Sequence, residues 1–221
     1  MIGISWKREQ GPADPLLRRM LEEAGMDNVP QWNRGDDVRN AAHRRWMKLA
    51  EDRDGPVNPD RCEITDPADI TAEIKAKATE LGADLVGCAA LIPIMIDDGF
   101  DLPHRNVLSI VVHEDYTNVL EGSRAIEAET YTVYVKVAEI ATALAAHVRY
   151  LGYPAWAHHN GVTQIMAIPT MYHSGLGELG RHGSLINPDL SANFRPSFVT
   201  TNLPLLYDSP LEFGVQDYCE K

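Results

Sequence analysis

Apolar residues recur at helical spacing from Val133 through Val137, Ile140, Ala141, Leu144 and Val148 to Leu151. That stripe predicts a long amphipathic helix over 127–151, stopped by Gly152. A second helix is expected from Asp66 to Gly82. Asp66 serves as its cap, Pro67 takes the first turn, and Ile70, Ile74, Ala78 and Leu81 keep the spacing. Shorter helices are read over 14–25 and 36–52. Strands are expected at 83–90, 154–157, 164–168 and 197–201. The run 106–113 carries Val107, Leu108, Ile110, Val111 and Val112, broken only by Ser109. A strand this apolar, with polar flanks, belongs in the middle of a sheet. The order of elements predicts an α/β (α+β) sandwich, a mixed sheet covered by helices. Residues 1–60 are charged, carry Trp6, Trp32 and Trp46, and end in the turn-forming Gly55-Pro56-Val57-Asn58-Pro59. They read as an N-terminal extension, with no chemistry of its own, on a core spanning 61–221.

Composition narrows the possible partners. The net charge of −12 argues against a nucleic-acid backbone. No apolar run reaches membrane-spanning length, and no signal peptide or twin-arginine leader is visible, so the expected setting is cytoplasmic without a membrane. Cys62, Cys88 and Cys219 are too few and too widely spaced for a disulfide framework.

The chemistry concentrates in S-G-L-G-E-L-G-R-H-G-S-L-I-N-P-D-L-S-A-N-F-R, from Ser174 to Arg195. Its G-x-G-x-x-G (Gly175, Gly177, Gly180) is not a dinucleotide fingerprint. It follows Tyr172-His173-Ser174 rather than a buried strand, and a helix beyond it would meet Gly183 and Asn187-Pro188. No G-K-[ST] follows, so it is not a Walker loop. The readings left are a glycine-rich surface loop or a backbone that something must approach closely. His158-His159 and His173 have no carboxylate or cysteine at ligand spacing, and H-E-x-x-H is absent.

The same run resembles the corrinoid-dependent reductive dehalogenases, whose pattern is A-G-L-G-E-L-G-R-x-G-L-L-I-x-P-x-x-G-x-x-x-R, then V-x-T-D-L-P-L, then F-G-V-x-x-F-C. Here V-T-T-N-L-P-L begins at Val199 and F-G-V-Q-D-Y-C at Phe213, and H-V-R-Y-L-G-Y (147–153) is similar to the family's I-R-x-L-G-Y. The similarity covers about 66–221. Departures are Ser174 for alanine, Ser184 for leucine, Ser191 for glycine, Asn202 for aspartate and Tyr218 for phenylalanine.

The resemblance implies a nitroreductase-like core holding base-off cobalamin, with 4Fe-4S clusters delivering electrons and a small organohalide as substrate. The electron donor would be a ferredoxin or a flavin reductase module. The family's substrate-facing trio falls on Tyr134, nineteen positions before Tyr153, on Asn160, seven after it, and on Arg195. Cofactor contacts fall on Gly175, Leu176, Gly177, Gly180, Arg181, Gly183, Ser184, Leu185 and Ile186. Cys219 matches the first cysteine of C-x2-C-x2-C-x3-C-P, and the sequence stops one residue before the second. A piece of a longer enzyme is therefore expected. A phenol that titrates near pH ~10 can donate a proton to a carbon losing halide. A guanidinium stabilises the phenolate left behind, and an amide orients the hydroxyl. From residue type alone, Tyr134 also reads as helix packing, with Tyr131 a rival donor; Asn160 before Gly161 reads as a turn, and both Arg181 and Arg195 as ion-pair partners. An epoxyqueuosine reductase-like enzyme of tRNA modification and a non-catalytic corrinoid-binding module are the alternatives. The first lacks support because 160–164 holds no acid where that family carries V-D-S-A-P.

Overall fold

The computed structural model describes residues 37–219. The helix expected over 14–25 lies outside them. Helix α1 (Asp37–Glu51) falls within the same compact unit as the rest of the described chain. Helix α2 (Pro67–Glu80) starts as its sequence requires, with the Asp66 side chain accepting from Ala68 N, and Gly82 leaves it at φ +106°. Strands β1 (Leu85–Ala90) and β2 (Asn106–His113) follow. Then come a short helix α3 (Tyr116–Leu120), the long helix α4 (Ser123–Tyr150) and strand β3 (Ala155–His158). Helix α5 (Ala167–His173), the small hairpin β4 (Glu178–Leu179) and β5 (Leu185–Ile186), strand β6 (Phe194–Thr201) and helix α6 (Val215–Cys219) complete the fold.

The main sheet has the order β1-β2-β6-β3. Every pairing in it is antiparallel, not mixed as expected. β2 and β3 do run parallel, joined through α4, but they are not neighbours. β6 enters between them in the opposite sense, which makes a split crossover. That insertion is a long-range event with no local signature.

β2 is interior and buried on both faces, which explains its unbroken apolar run. Leu108, Ile110 and Val112 face one core cluster with Ile74, Val137, Ala141, Leu144 and Val148 from α2 and α4. Val107 and Val111 face the other, with Met95, Ile165, Met171, Phe194 and Phe198. Each fully buried Val or Leu contributes about 1.5–3 kcal/mol. Ser109, the one polar interruption, is satisfied by Ser174 (Oγ–Oγ 2.8 Å). Gly87 lies opposite that contact: a Cβ there would collide with the Ser174 carbonyl.

The strand expected over 164–168 is not one. Ile165 makes a single bridge to Ile96, and the chain then turns into α5. Pro169 stands in that helix's first turn, where its missing N–H removes no helical bond. β6 begins earlier than the expected Ser197. It runs through Pro196 because β3 pairs only with residues 198–201, so the proline's outer side borders no strand. Among the described residues no helix is long and apolar enough to cross a membrane.

Candidate active site

Tyr134, Asn160 and Arg195 line one cavity of about 280 Å3. Different elements bring them there. Thr130 and Tyr134 stand four residues apart on α4 and share a face. Arg195, on β6, reaches that face: its guanidinium carbon lies 5.2 Å from the Tyr134 ring centroid. Arg195 Nε donates to Glu114 Oε1 at 2.8 Å, Thr130 Oγ1 donates to the same oxygen at 2.7 Å, and Arg195 Nη2 reaches Thr130 Oγ1 at 3.5 Å. Glu114 directly follows β2 and is only 5% exposed. It is tied down by its own backbone, which donates to Asn193 O and accepts from Asn193 Nδ2. Burial opposes the guanidinium's charge, but the Glu114 hydrogen bond and the neighbouring Tyr134 outweigh it and hold the Arg195 pKa above its ordinary value.

Asn160 sits at the tip of a tight turn closed by reciprocal bonds between His159 and Val162 (2.8 Å each). It is thus both a turn residue and part of the cavity wall. Gly161 is required beside it, because a Cβ there would press on the Trp46 backbone. Trp46, on α1, packs its ring edge-on to Tyr134 (6.1 Å, 84°) and tilted against Tyr131 (5.7 Å). Tyr131 meets Trp46 and is not part of the cavity wall. The segment before residue 60, read as inert, therefore supports the tyrosine.

Two histidines also line the cavity. His158 is fully buried; its Nε2 bonds to Thr200 Oγ1 (2.9 Å), which also meets His104 Nδ1 (2.8 Å), while His158 Nδ1 has no partner. Burial pushes the pKa of His158 down to about 3 and those of His104 and His159 to about 4, helped by the nearby Arg53 charge. All three are neutral at pH 7. No metal-binding cluster of His, Cys, Asp or Glu occurs among the described residues. Ile165, Ile168, Met171, Phe194 and Phe198 make the rest of the wall largely apolar.

The glycine-rich run forms the β4–β5 hairpin and its approach. Ser184 lines the cavity, Leu176 and Leu185 are core residues, and Arg181 is exposed. Most of the glycines serve the chain itself. A Cβ at Gly175 would stand 2.5 Å from Ser209 O, and one at Gly177 2.6 Å from Ile186 O; at Gly180 it would meet the His182 ring. Gly183 differs: φ is +81° and nothing lies within 4 Å of where a Cβ would be. Within the run, the backbone that faces open space is at Gly183, next to Ser184. Glu178, within the run, accepts from the N–H groups of Phe213, Gly214, Val215 and Gln216 (2.7–3.2 Å). It thereby fixes the start of α6, the helix that ends at Cys219.

No sequence signal marked Glu114, Thr130 or Trp46, since each acts through partners distant in the chain. His158 was visible only as half of a histidine pair.

No family model matches the chain. It is 29% identical over 215 residues to the tetrachloroethene reductive dehalogenase of Sulfurospirillum multivorans, covering 79% of this chain and 41% of that protein. It is 34% identical over 116 residues to the tetrachloroethene reductive dehalogenase of Dehalobacter restrictus, covering 52% of this chain and 21% of that protein. The catabolic reductive dehalogenase NpRdhA superposes with a TM-score of 0.74 at 28% identity, over 82% of this chain and 28% of that one. A further solved reductive dehalogenase structure, one that suggests a mechanism for B12-dependent dehalogenation, superposes at a TM-score of 0.71 with 29% identity over 79% of this chain and 27% of that one. The chain thus spans about two-fifths or less of the relatives it matches. Epoxyqueuosine reductases are distant structural neighbours, with TM-scores too low to inform function.

Proposed function

The chain is a homologue of the reductive dehalogenases, which are oxidoreductases, and from that premise we propose that 61–221 is the cobalamin-binding catalytic portion of such an enzyme. The observation that carries the proposal is the Arg195 guanidinium over the Tyr134 ring, in a cavity that Asn160 also lines. The reaction is R–X + 2 e⁻ + H⁺ → R–H + X⁻. Tyr134 gives its hydroxyl proton to the carbon that loses halide. Arg195, held by Glu114, stabilises the phenolate, and the Asn160 amide orients the hydroxyl. Ile165, Ile168, Met171 and Phe198 exclude water from the reacting carbon.

Cobalamin, when bound base-off, supplies the electrons that break the carbon–halogen bond. The residues fit such a group at Gly183, whose open backbone adjoins the cavity-lining Ser184. The cavity itself is at the small end for a ligand pocket and suits the organohalide rather than a macrocycle. Arg181 and the segment 183–186 are the contacts we assign to the corrinoid, with Gly175, Leu176, Gly177 and Gly180 shaping the hairpin that presents them. Cys219 is assigned to a 4Fe-4S cluster whose other ligands lie outside this sequence, and a ferredoxin or flavin reductase module is the assigned electron donor.

The test is reconstitution with cobalamin under an artificial reductant. The protein is expected to retain the corrinoid, seen as a changed visible spectrum. Tyr134→Phe should keep the corrinoid and lose about 10²-fold or more in halide release. Loss of the corrinoid from the unaltered chain, or full activity in Tyr134→Phe, overturns the proposal.

A further inference from the structure

We infer that this cavity takes neutral organohalides and discriminates against those bearing a carboxylate. The inference rests on the reading of the cavity as an organohalide site and adds the class of substrate. Among the described residues that line it, Arg195 is the only charged side chain. Its charge is already matched, because Nε lies 2.8 Å from the carboxylate of Glu114, which is buried and also held by Thr130. The guanidinium carbon also lies over the Tyr134 ring, 5.2 Å from its centroid.

The other polar groups on the wall, His158, His159, Asn160, Thr163 and Ser184, add no cation at neutral pH. A carboxylate entering this space would leave its water for a wall whose one cation, Arg195, is already neutralised by Glu114, while Arg53, the other cation nearby, is not among the lining residues. It would also stand close to Glu114, so repulsion would offset much of the attraction to Arg195. A neutral haloarene or halocarbon meets no such penalty. It gains instead from Ile165, Ile168, Met171, Phe194 and Phe198. The solved relative in complex with 3-bromo-4-hydroxybenzoic acid shows that a carboxylate-bearing haloarene does bind a protein of this fold. The discrimination inferred here is argued from the Glu114–Arg195 pair of this chain alone.

Two probes of nearly equal size separate the cases: 3-bromophenol, neutral at pH 7, and 3-bromobenzoate, anionic. Their affinities for the unaltered chain are measured by calorimetry or ligand-observed NMR at low salt. The neutral probe is expected to bind at least about tenfold more tightly. Glu114→Gln removes the compensating charge while keeping a hydrogen-bonding side chain. It should shift the ratio of benzoate to bromophenol affinity about tenfold toward benzoate. Equal or tighter binding of 3-bromobenzoate to the unaltered chain overturns the inference and leaves the organohalide reading standing. Failure of both probes to bind overturns the inference and the organohalide reading together. The comparison on the unaltered chain stands even if Glu114→Gln does not fold.

Discussion

Arg195 lies with its guanidinium carbon 5.2 Å from the centre of the Tyr134 ring, and Glu114 holds it there through Nε. This is not a surface ion pair, since Glu114 is buried and Arg195 only partly exposed. Arg195→Met should cost about 1–3 kcal/mol. That lies between the value of an exposed pair and the 3–5 kcal/mol of breaking a fully buried one, because Glu114 is left uncompensated. Arg195→Lys keeps the charge but not the planar fork. It should recover most of the stability while dehalogenation stays about tenfold or more below the parent. Urea denaturation and halide release on the same preparations check both parts. Equal activity in Arg195→Lys would contradict the geometric role.

Ser191 offers a stabilising change. The related pattern has glycine at this position, and here the serine adopts φ +56° while exchanging backbone bonds with Asn187 (2.8 and 2.9 Å). A side chain in the left-handed region costs about 1–2 kcal/mol. Glycine removes that strain but makes the unfolded chain more flexible. Ser191→Gly should therefore gain a net ~0.5–1 kcal/mol, read as a higher midpoint in urea. A lower midpoint would mean that the serine side chain has a compensating role.

What could be read in advance followed the range of the interaction. The α4 stripe, the β2 run and the Asp66–Pro67 helix start are local patterns, and each produced the element expected. The antiparallel entry of β6 between β2 and β3 depends on pairing across most of the chain and left no local trace. The segment 164–168 is not a strand because α5 begins inside it at Ala167, with Pro169 in the first turn, where a missing N–H removes no helical bond. The glycines of the 174–195 run were conspicuous, but their partners were not. Gly175 and Gly177 make room for Ser209 and Ile186, and only Gly183 opens outward. Tyr134, Asn160 and Arg195 came from motif position, whereas Glu114 is one acid among many until the fold places it on Arg195.

The buried histidines should make stability fall on mild acidification. His104, His158 and His159 have folded pKa values of about 4, 3 and 4, against 6.5 for the free side chain. The unfolded chain binds more protons than the folded one between these limits. The stability they contribute is therefore complete above about pH 6.5 and is lost as pH falls toward 4. Each depressed group is worth about 2–3 kcal/mol over that window, and the three are not additive because His104 and His158 share Thr200. Urea midpoints at pH 7.5, 6, 5 and 4.5 read the slope. His159→Gln should flatten it, and a flat profile in the parent would show that these rings are not held neutral.

Helix α1, read in advance as having no chemistry of its own, supports the tyrosines of α4. Trp46 on α1 is 7% exposed and packs on both Tyr131 and Tyr134, so Trp46→Ala should cost about 3–5 kcal/mol. For a unit of this size that lowers the melting temperature by roughly 10 °C. Trp46→Phe should be far milder. The indole Nε1 has no hydrogen-bond partner, so the phenyl ring gives up area but also removes an unsatisfied donor. The two effects oppose each other, and the expected loss is below about 1.5 kcal/mol. The edge-on contact with Tyr134 is kept by a phenyl ring and lost with alanine. Dehalogenation should therefore survive Trp46→Phe and fall in Trp46→Ala even at temperatures where that variant remains folded. Melting curves paired with halide release separate the outcomes, and unchanged turnover in folded Trp46→Ala would show that α1 has no part in holding the tyrosine.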